Sequence, residues 1–316
     1  MMDWTDRHCR YFHRLLAPTA RLYTEMVHSA AVVRGDRVRL LDNSEVAPPV
    51  ALQLGGSDPR QMAEAAVIGE AFGYDEININ VGCPSDRVQS GQFGACLMAR
   101  PTLVADCVRQ MRDRVQIPVT VKTRIGIDDQ DNDDFLFEFV DEVADAGCRS
   151  FIVHARIALL AGLSPKQNRE IPPLNYERVY RLAARRRDLA ITLNGGLADI
   201  ATVVAQRGKV AGVMIGRAAY QTPYFLALVS SALGAGGAVP TRRQIMHRLI
   251  DYAAAQTASG IPLRAVARHT LGLFQGRPGA RRFRRTLSEG MHEPGAGVDV
   301  IWQALDQLHS RAMRSA

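Results

Sequence analysis

Pro118-Val119-Thr120-Val121-Lys122-Thr123-Arg124, then the stretch Phe135–Ala146, then Ser150-Phe151-Ile152-Val153-His154-Ala155 together decide the fold. The first and last runs are short and rich in Val and Ile, as parallel strands buried on both faces should be. The middle stretch places apolar residues at helical spacing, and Gly147 follows it as a stop signal. Strand, helix and strand in that order predict a βαβ unit.

The same alternation extends in both directions. Further strand-like runs are Arg21–Met26, Pro49–Leu54, Glu76–Val81, Ala190–Asn194 and Gly212–Ile215, with helical patterns at Gln61–Phe72 and Leu103–Arg114. Seven strands alternating with helices predict an α/β protein, and a (β/α)8 TIM barrel more than an open sheet. A closed barrel needs eight strands, so either one short strand is hidden or the chain starts late and the first strand is truncated. After Gly212–Ile215 the strands stop. A helix over Pro223–Leu233 runs into the Gly/Ala/Pro-rich stretch 234–240, which reads as a linker. Arg243–Thr257, Leu263–Phe274, Arg281–Ser288 and Val298–Met313 then read as helices. The expected domains are a barrel over 1–233 and a small all-helical domain over 241–316.

Charge separates the same two regions. The formal net charge is +7. Residues 241–316 hold 12 Arg, no Lys and 5 Asp and Glu, so the whole excess lies there. A segregated basic module suits a polyanion such as nucleic acid, although a solvated Arg-rich helix face would look the same. The first ten residues carry Asp3, Asp6, Arg7, His8 and Arg10, which is not a signal peptide. No apolar run approaches the roughly 18 residues of a membrane span. Five cysteines without a C-x-x-C pair argue against a disulfide framework or a zinc site. A cytoplasmic protein with reduced thiols, no membrane segment and no metal is the expectation.

In TIM barrels the chemistry sits at the C-terminal strand ends. Those ends carry Glu25, Gln53, Asn80 with Cys83, Lys122 with Arg124, His154 with Arg156, Asn194-Gly195-Gly196, and Gly216-Arg217. Loops after the last two strands of such barrels commonly bind phosphate. Two bare glycines after Asn194, a further glycine and a guanidinium at Gly216-Arg217, and the next helix N-terminus suit that ligand. Neither a Walker A loop nor a G-x-G-x-x-G fingerprint is present, so a phosphate-bearing cofactor other than a Rossmann-bound NAD is expected. Lys122 at a barrel mouth could stabilise a reduced flavin, and Gln53 could bond the flavin's pyrimidine edge. Pyridoxal phosphate, which also uses a barrel lysine, stays open. Cys83 lies just past a strand end. An ordinary thiol, with a pKa of about 8.5, is protonated at neutral pH and can serve as a general acid. Cys96 is the rival thiol, among apolar neighbours.

Several of these segments carry a family resemblance. Residues 2–10, Leu22-Tyr23-Thr24-Glu25-Met26, residues 51–57, Asn78-Ile79-Asn80-Val81-Gly82-Cys83-Pro84-Ser85 and Val119–Gly126 resemble the tRNA-dihydrouridine synthases. Asn168-Arg169-Glu170-Ile171-Pro172-Pro173-Leu174 and Leu273-Phe274-Gln275-Gly276 resemble the A-type branch. The resemblance runs from Met1 to about Gln307. It implies an FMN-bearing TIM barrel with a helical tRNA-binding domain, NADPH as reductant, and reduction of uridines 20 and 20a in the tRNA D-loop. It also implies that Cys83 is the proton donor and that FMN is held by Met1, Gln53, Lys122, His154, Asn194, Gly195, Gly196, Gly216 and Arg217. Asn80 would meet the target nucleotide, and Lys166, Arg169, Arg281 and Arg284 would contact tRNA. Family members carry a first strand ending in Ala-Pro-Met. Met1 falls where that Met stands, so either the start codon lies upstream or the barrel is one strand short. Two other readings stay beside this one: a flavoenzyme acting on a free pyrimidine-like molecule, and a tRNA-binding protein with an incomplete flavin site. Neither the residues nor the resemblance states an oligomeric state.

Overall fold

The computed structural model describes residues 1–85, 88, 90–235 and 238–308. The chain divides into two compact units. The first holds Met1–Met2 and Arg21–Gly216, and the second holds Asp3–Ala20 together with residues from Arg217 onward.

In the first unit seven strands form one parallel sheet in sequential order, the arrangement of a (β/α) barrel. They are β1 Leu22–His28, β2 Val50–Gly55, β3 Glu76–Val81, β4 Val119–Arg124, β5 Ser150–His154, β6 Ala190–Asn194 and β7 Gly212–Met214. Helices connect them. Pro59–Ala71 starts with proline at its first turn and is capped by Asp58, whose side chain accepts the Gln61 N–H. Asn132 caps Asp133–Asp145 in the same way through Phe135. Gly147 takes the left-handed backbone (φ +103°) that returns the chain toward β5.

The strands have two chemically different faces. Leu52 and Ile77 face the helix Pro59–Ala71, so closely that a Cβ on its Gly69 would fall 2.7 and 2.8 Å from their methyl groups. Alternation then sends Gln53, Glu76, Asn78 and Asn80 to the other face, with Thr120 and Lys122 beside them on β4. Buried apolar residues thus anchor the helices, and a polar layer lines the side where barrels usually place Val, Ile and Leu.

The second unit is helical. Its core joins Phe12, Leu15 and Leu16 of the helix Arg7–Leu16 to Leu249 and Ile250 of Arg242–Ala258, Phe283 of Ala280–Gly290 and Ile301 of Asp299–Asp306. Burying each of these large side chains contributes about 1.5–3 kcal/mol. Residues 3–20 and the helix Tyr224–Ala232 fall in this unit, whereas the sequence-based boundary at 233 groups them with the barrel. A capping box between Thr241 and Gln244 opens the longest helix. The single helix expected over Leu263–Phe274 ends instead at Ala267, followed by a 3-10 turn at Arg268–Thr270. There His269 turns to Asp6 and Tyr220, and Gly272 lies so close to the Gln221 carbonyl that a Cβ has no room. The helix expected over Val298–Met313 is present at Asp299–Asp306, and residues from 309 lie outside the described ones. So do Gly236 and Gly237 of the expected linker and Asp86 of the Cys83 segment.

Candidate active site

Strand register brings the polar strand ends of the first unit side by side. Asn80 pairs with Lys122, Arg124 with His154, His154 with Asn194, and Asn194 with Met214. Gln53 and Asn80 touch directly, the Asn80 Nδ2 donating to Gln53 Oε1 at 2.9 Å.

Cys83, half-buried, follows β3 by two residues in a loop held from three sides. Asn80 Oδ1 accepts the backbone N–H of Gly82 at 3.1 Å and of Cys83 at 3.0 Å. The Cys83 carbonyl accepts the Ala95 N–H at 2.9 Å. Gly94, at φ +77°, passes so close that a Cβ would sit 2.5 Å from that carbonyl oxygen. Arg124 donates its Nε–H to the Gly82 carbonyl at 2.9 Å and its Nη1 to the carbonyls of Ile157 (2.8 Å) and Asn168 (2.9 Å). The rival Cys96 gives its thiol to the Phe93 carbonyl at 3.2 Å, and burial raises its pKa. Cys9, Cys107 and Cys148 are buried, and burial pushes Cys107 and Cys148 up to about 12.

Lys122 is half-buried on β4. Burial first, and the Arg124 guanidinium second, lower its pKa to about 8. A neighbouring anion would raise that value again and favour the charged form. After β6, Gly195 and Gly196 both have positive φ and are closely packed: a Cβ on Gly195 would press the His154 ring at 2.7 Å, and one on Gly196 would press a Leu174 methyl at 2.5 Å and the Tyr176 hydroxyl at 2.9 Å. The Tyr176 hydroxyl holds the Gly195 carbonyl at 2.5 Å, and Asn194 Nδ2 holds that of Met214 at 2.8 Å. A Cβ on Gly216 would meet only the Met1 sulfur, 3.9 Å away. Arg217 begins the five-residue helix Arg217–Gln221 of the second unit, too short for the helix-terminus field expected there.

Lys166 and Arg169 are exposed on a loop of the first unit. That loop is organised by the fully buried Asn168, whose side chain bonds both the N–H and the carbonyl of Leu159 at 2.8 Å. Arg281 and Arg284 are exposed on Ala280–Gly290 of the second unit, and its Phe283 and Leu287 face the core. Residues that sequence reasoning passed over are Glu76, Asn78 and Thr120, all buried beneath Asn80 and Lys122. Polar residues at every second position of a parallel strand were the available signal. Among the described residues no cluster of three or more His, Cys, Asp or Glu could hold a metal ion. Nor is any helix long and apolar enough to cross a membrane.

A parallel α/β sheet with a polar strand-end rim and a thiol held beside it defines the barrel class of enzyme. The family comparison is more specific: the dihydrouridine synthase family matches residues 1–309, and the chain belongs to it. It is therefore an oxidoreductase. A relative from Xanthomonas axonopodis pv. citri (strain 306), a "tRNA-dihydrouridine(20/20a) synthase", is 52% identical over 314 residues, which are 99% of this chain and 94% of the relative. Relatives with the same name from Vibrio vulnificus (strain CMCP6) and Yersinia pestis are 53% identical over 310 residues and 54% identical over 307 residues. These alignments cover 98% and 96% of this chain, and 95% and 89% of the relatives.

Proposed function

We propose that this protein reduces the C5–C6 bond of uridines 20 and 20a in the D-loop of tRNA, using FMN and NADPH in the cytoplasm. The observation that carries the reading is Cys83, the rim thiol held through Asn80 next to Gln53, in a chain that belongs to the dihydrouridine synthases. The names of the relatives supply the substrate and its positions.

The residues present fit a flavin mononucleotide. Gly216 leaves the bare backbone that a phosphate needs, with Met1 beside it, and Gly195 and Gly196 form the left-handed turn packed against His154. Those residues, with Asn194 and Arg217, would hold the phosphate end. Gln53 and Lys122 would hold the ring. When bound and reduced by NADPH, the flavin supplies the hydride that C6 receives.

Lys122 would set the electrostatics, a cation at the rim favouring an electron-rich ring. Asn80 would hold the uracil edge and at the same time position the Cys83 backbone. The Cys83 thiol would donate its proton to C5, where negative charge accumulates as C6 is reduced. The barrel unit would carry the chemistry. The helical unit, with Arg281 and Arg284, would grip the tRNA backbone, as Lys166 and Arg169 would from the first unit.

The test is incubation of unmodified tRNA with the protein, FMN and NADPH, followed by nucleoside mass spectrometry. Dihydrouridine at positions 20 and 20a is the expected product. Its absence, with activity on free uracil or dihydroorotate instead, would replace this reading.

A further inference from the structure

A continuous line of side-chain hydrogen bonds runs through the polar layer of the sheet and ends on the Cys83 loop. Asn80 Nδ2 donates to Gln53 Oε1 at 2.9 Å, and Gln53 Nε2 to Asn78 Oδ1 at 2.9 Å. Asn78 Nδ2 donates to Thr120 Oγ1 at 2.8 Å, and Thr120 Oγ1 to Glu76 Oε1 at 2.6 Å. Glu76 also accepts from the Tyr23 hydroxyl at 3.0 Å and from Arg21 Nη1 at 2.5 Å. Glu76, Asn78 and Thr120 are at most 1% exposed, so a donor that loses its partner there has no easy replacement.

The two ends give this line a direction. A backbone N–H can only donate, so the Asn80 atom facing Gly82 and Cys83 is the oxygen. A carboxylate can only accept, so Thr120 gives its proton to Glu76. Every link between must then donate the same way, from the rim toward Glu76. No single amide among Asn80, Gln53 and Asn78 can flip without facing donor to donor or acceptor to acceptor.

We infer that Glu76, Thr120 and Asn78 are positioning residues that lock the amide orientations of Gln53 and Asn80, and through Asn80 the backbone of Cys83. Cutting the line at Thr120 leaves the Asn78 amide donor without its acceptor. Asn78 and Gln53 then lose one of the two ends that fix their orientation, and Asn80 is held at the rim by the Gly82 and Cys83 N–H groups alone, so the loop is anchored more loosely. The lock also leaves Gln53 with one N–H and one lone pair in fixed places, so that a heteroaromatic edge meets it in a single register. The consequence for the reaction rests on the function proposed above. The lock itself does not.

Thr120→Val removes the hydroxyl at nearly constant shape, and Thr120→Ser restores it. Amide hydrogen exchange on the full chain should show the Gly82 and Cys83 N–H groups exchanging about tenfold faster in Thr120→Val, the scale of one lost hydrogen bond. Thr120→Ser should match wild type, and β6 should be unchanged in both. At saturating tRNA, single-turnover dihydrouridine formation should fall about tenfold in Thr120→Val with tRNA affinity unchanged. Wild-type exchange at Gly82 and Cys83 in a folded Thr120→Val protein would overturn the inference. Faster exchange with an undiminished rate would overturn its catalytic part. If Thr120→Val does not fold, Asn78→Leu cuts the next link and is read by the same criteria. If neither folds, the line is a folding element and the inference is wrong. Faster exchange in the variant, when wild type makes no dihydrouridine at all, would support the lock and reject the proposed function.

Discussion

The side-chain oxygen of Asn80 turns back on the N–H of Cys83 at 3.0 Å, so the thiol is carried by a backbone that the neighbouring strand end holds in place. A loop held in this way keeps its shape when the thiol itself is removed.

Cys83→Ala should therefore retain flavin and bind tRNA, and lose most dihydrouridine formation. A positioned acid typically contributes about 100- to 10,000-fold. Cys96→Ala, whose thiol is engaged by the Phe93 carbonyl, should stay within about threefold of wild type on the same scale. Single-turnover oxidation of pre-reduced enzyme by unmodified tRNA compares the two. A fully active Cys83→Ala protein would move the acid elsewhere.

Ligand binding should take up protons near pH 8.5. In the free protein Lys122 has a pKa of about 8, so above that pH it is largely neutral. A bound anion raises the pKa, and the lysine recovers its proton. Affinity should then decline as pH rises through 8 toward the bound-state pKa. Anaerobic calorimetric titration of reduced FMN, whose ring carries the negative charge that Lys122 would face, in buffers of different ionisation enthalpy measures the uptake, which Lys122→Met should abolish. No uptake in the wild type would show that the anion does not approach Lys122.

The pair Arg281→Ala and Arg284→Ala should weaken tRNA binding while flavin content stays constant. Both side chains are exposed and their helix is anchored by Phe283 and Leu287, so folding should be spared. Each lost phosphate contact should flatten the salt dependence of binding by roughly one charge. Filter binding across a salt series gives the slope, and an unchanged slope would make these arginines a solvated face.

Acid should destabilise the helical unit before ordinary carboxylates titrate. Burial first, and the nearby His269 second, depress His13 to about 4. Burial likewise lowers His8 to about 4. With unfolded-state values near 6.5, the unfolded chain binds more protons between pH 6.5 and 4, so stability falls as pH drops through that window. Urea midpoints at several pH values should show a shallower decline for His13→Met than for wild type. Parallel curves would refute it.

Local chemistry explains what could be read in the sequence. β3 spans Glu76–Val81 and β6 spans Ala190–Asn194, the bounds that the sequence pattern predicts. The strand ends were therefore readable, and with them Gln53, Asn80, Lys122, His154 and Asn194. The resemblance added roles to those positions. What could not be read depends on partners far away in the chain. Phe12 belongs to the same core as Leu249 and Phe283, and no local pattern says so. Thr120 looks like an ordinary strand threonine until β3 lies beside it and Glu76 takes its proton.

The helix Arg7–Leu16 is made early and packs late. Its core partners Leu249, Phe283 and Ile301 leave the ribosome more than two hundred residues later. At about 5–20 residues per second the wait is on the order of 10–50 seconds. For that time Phe12, Leu15 and Leu16 have no native surface to cover them, while the whole sheet between can form. The helical unit is thus completed only after the whole sheet has been made, and the early helix needs protection from off-pathway contacts on a nascent chain.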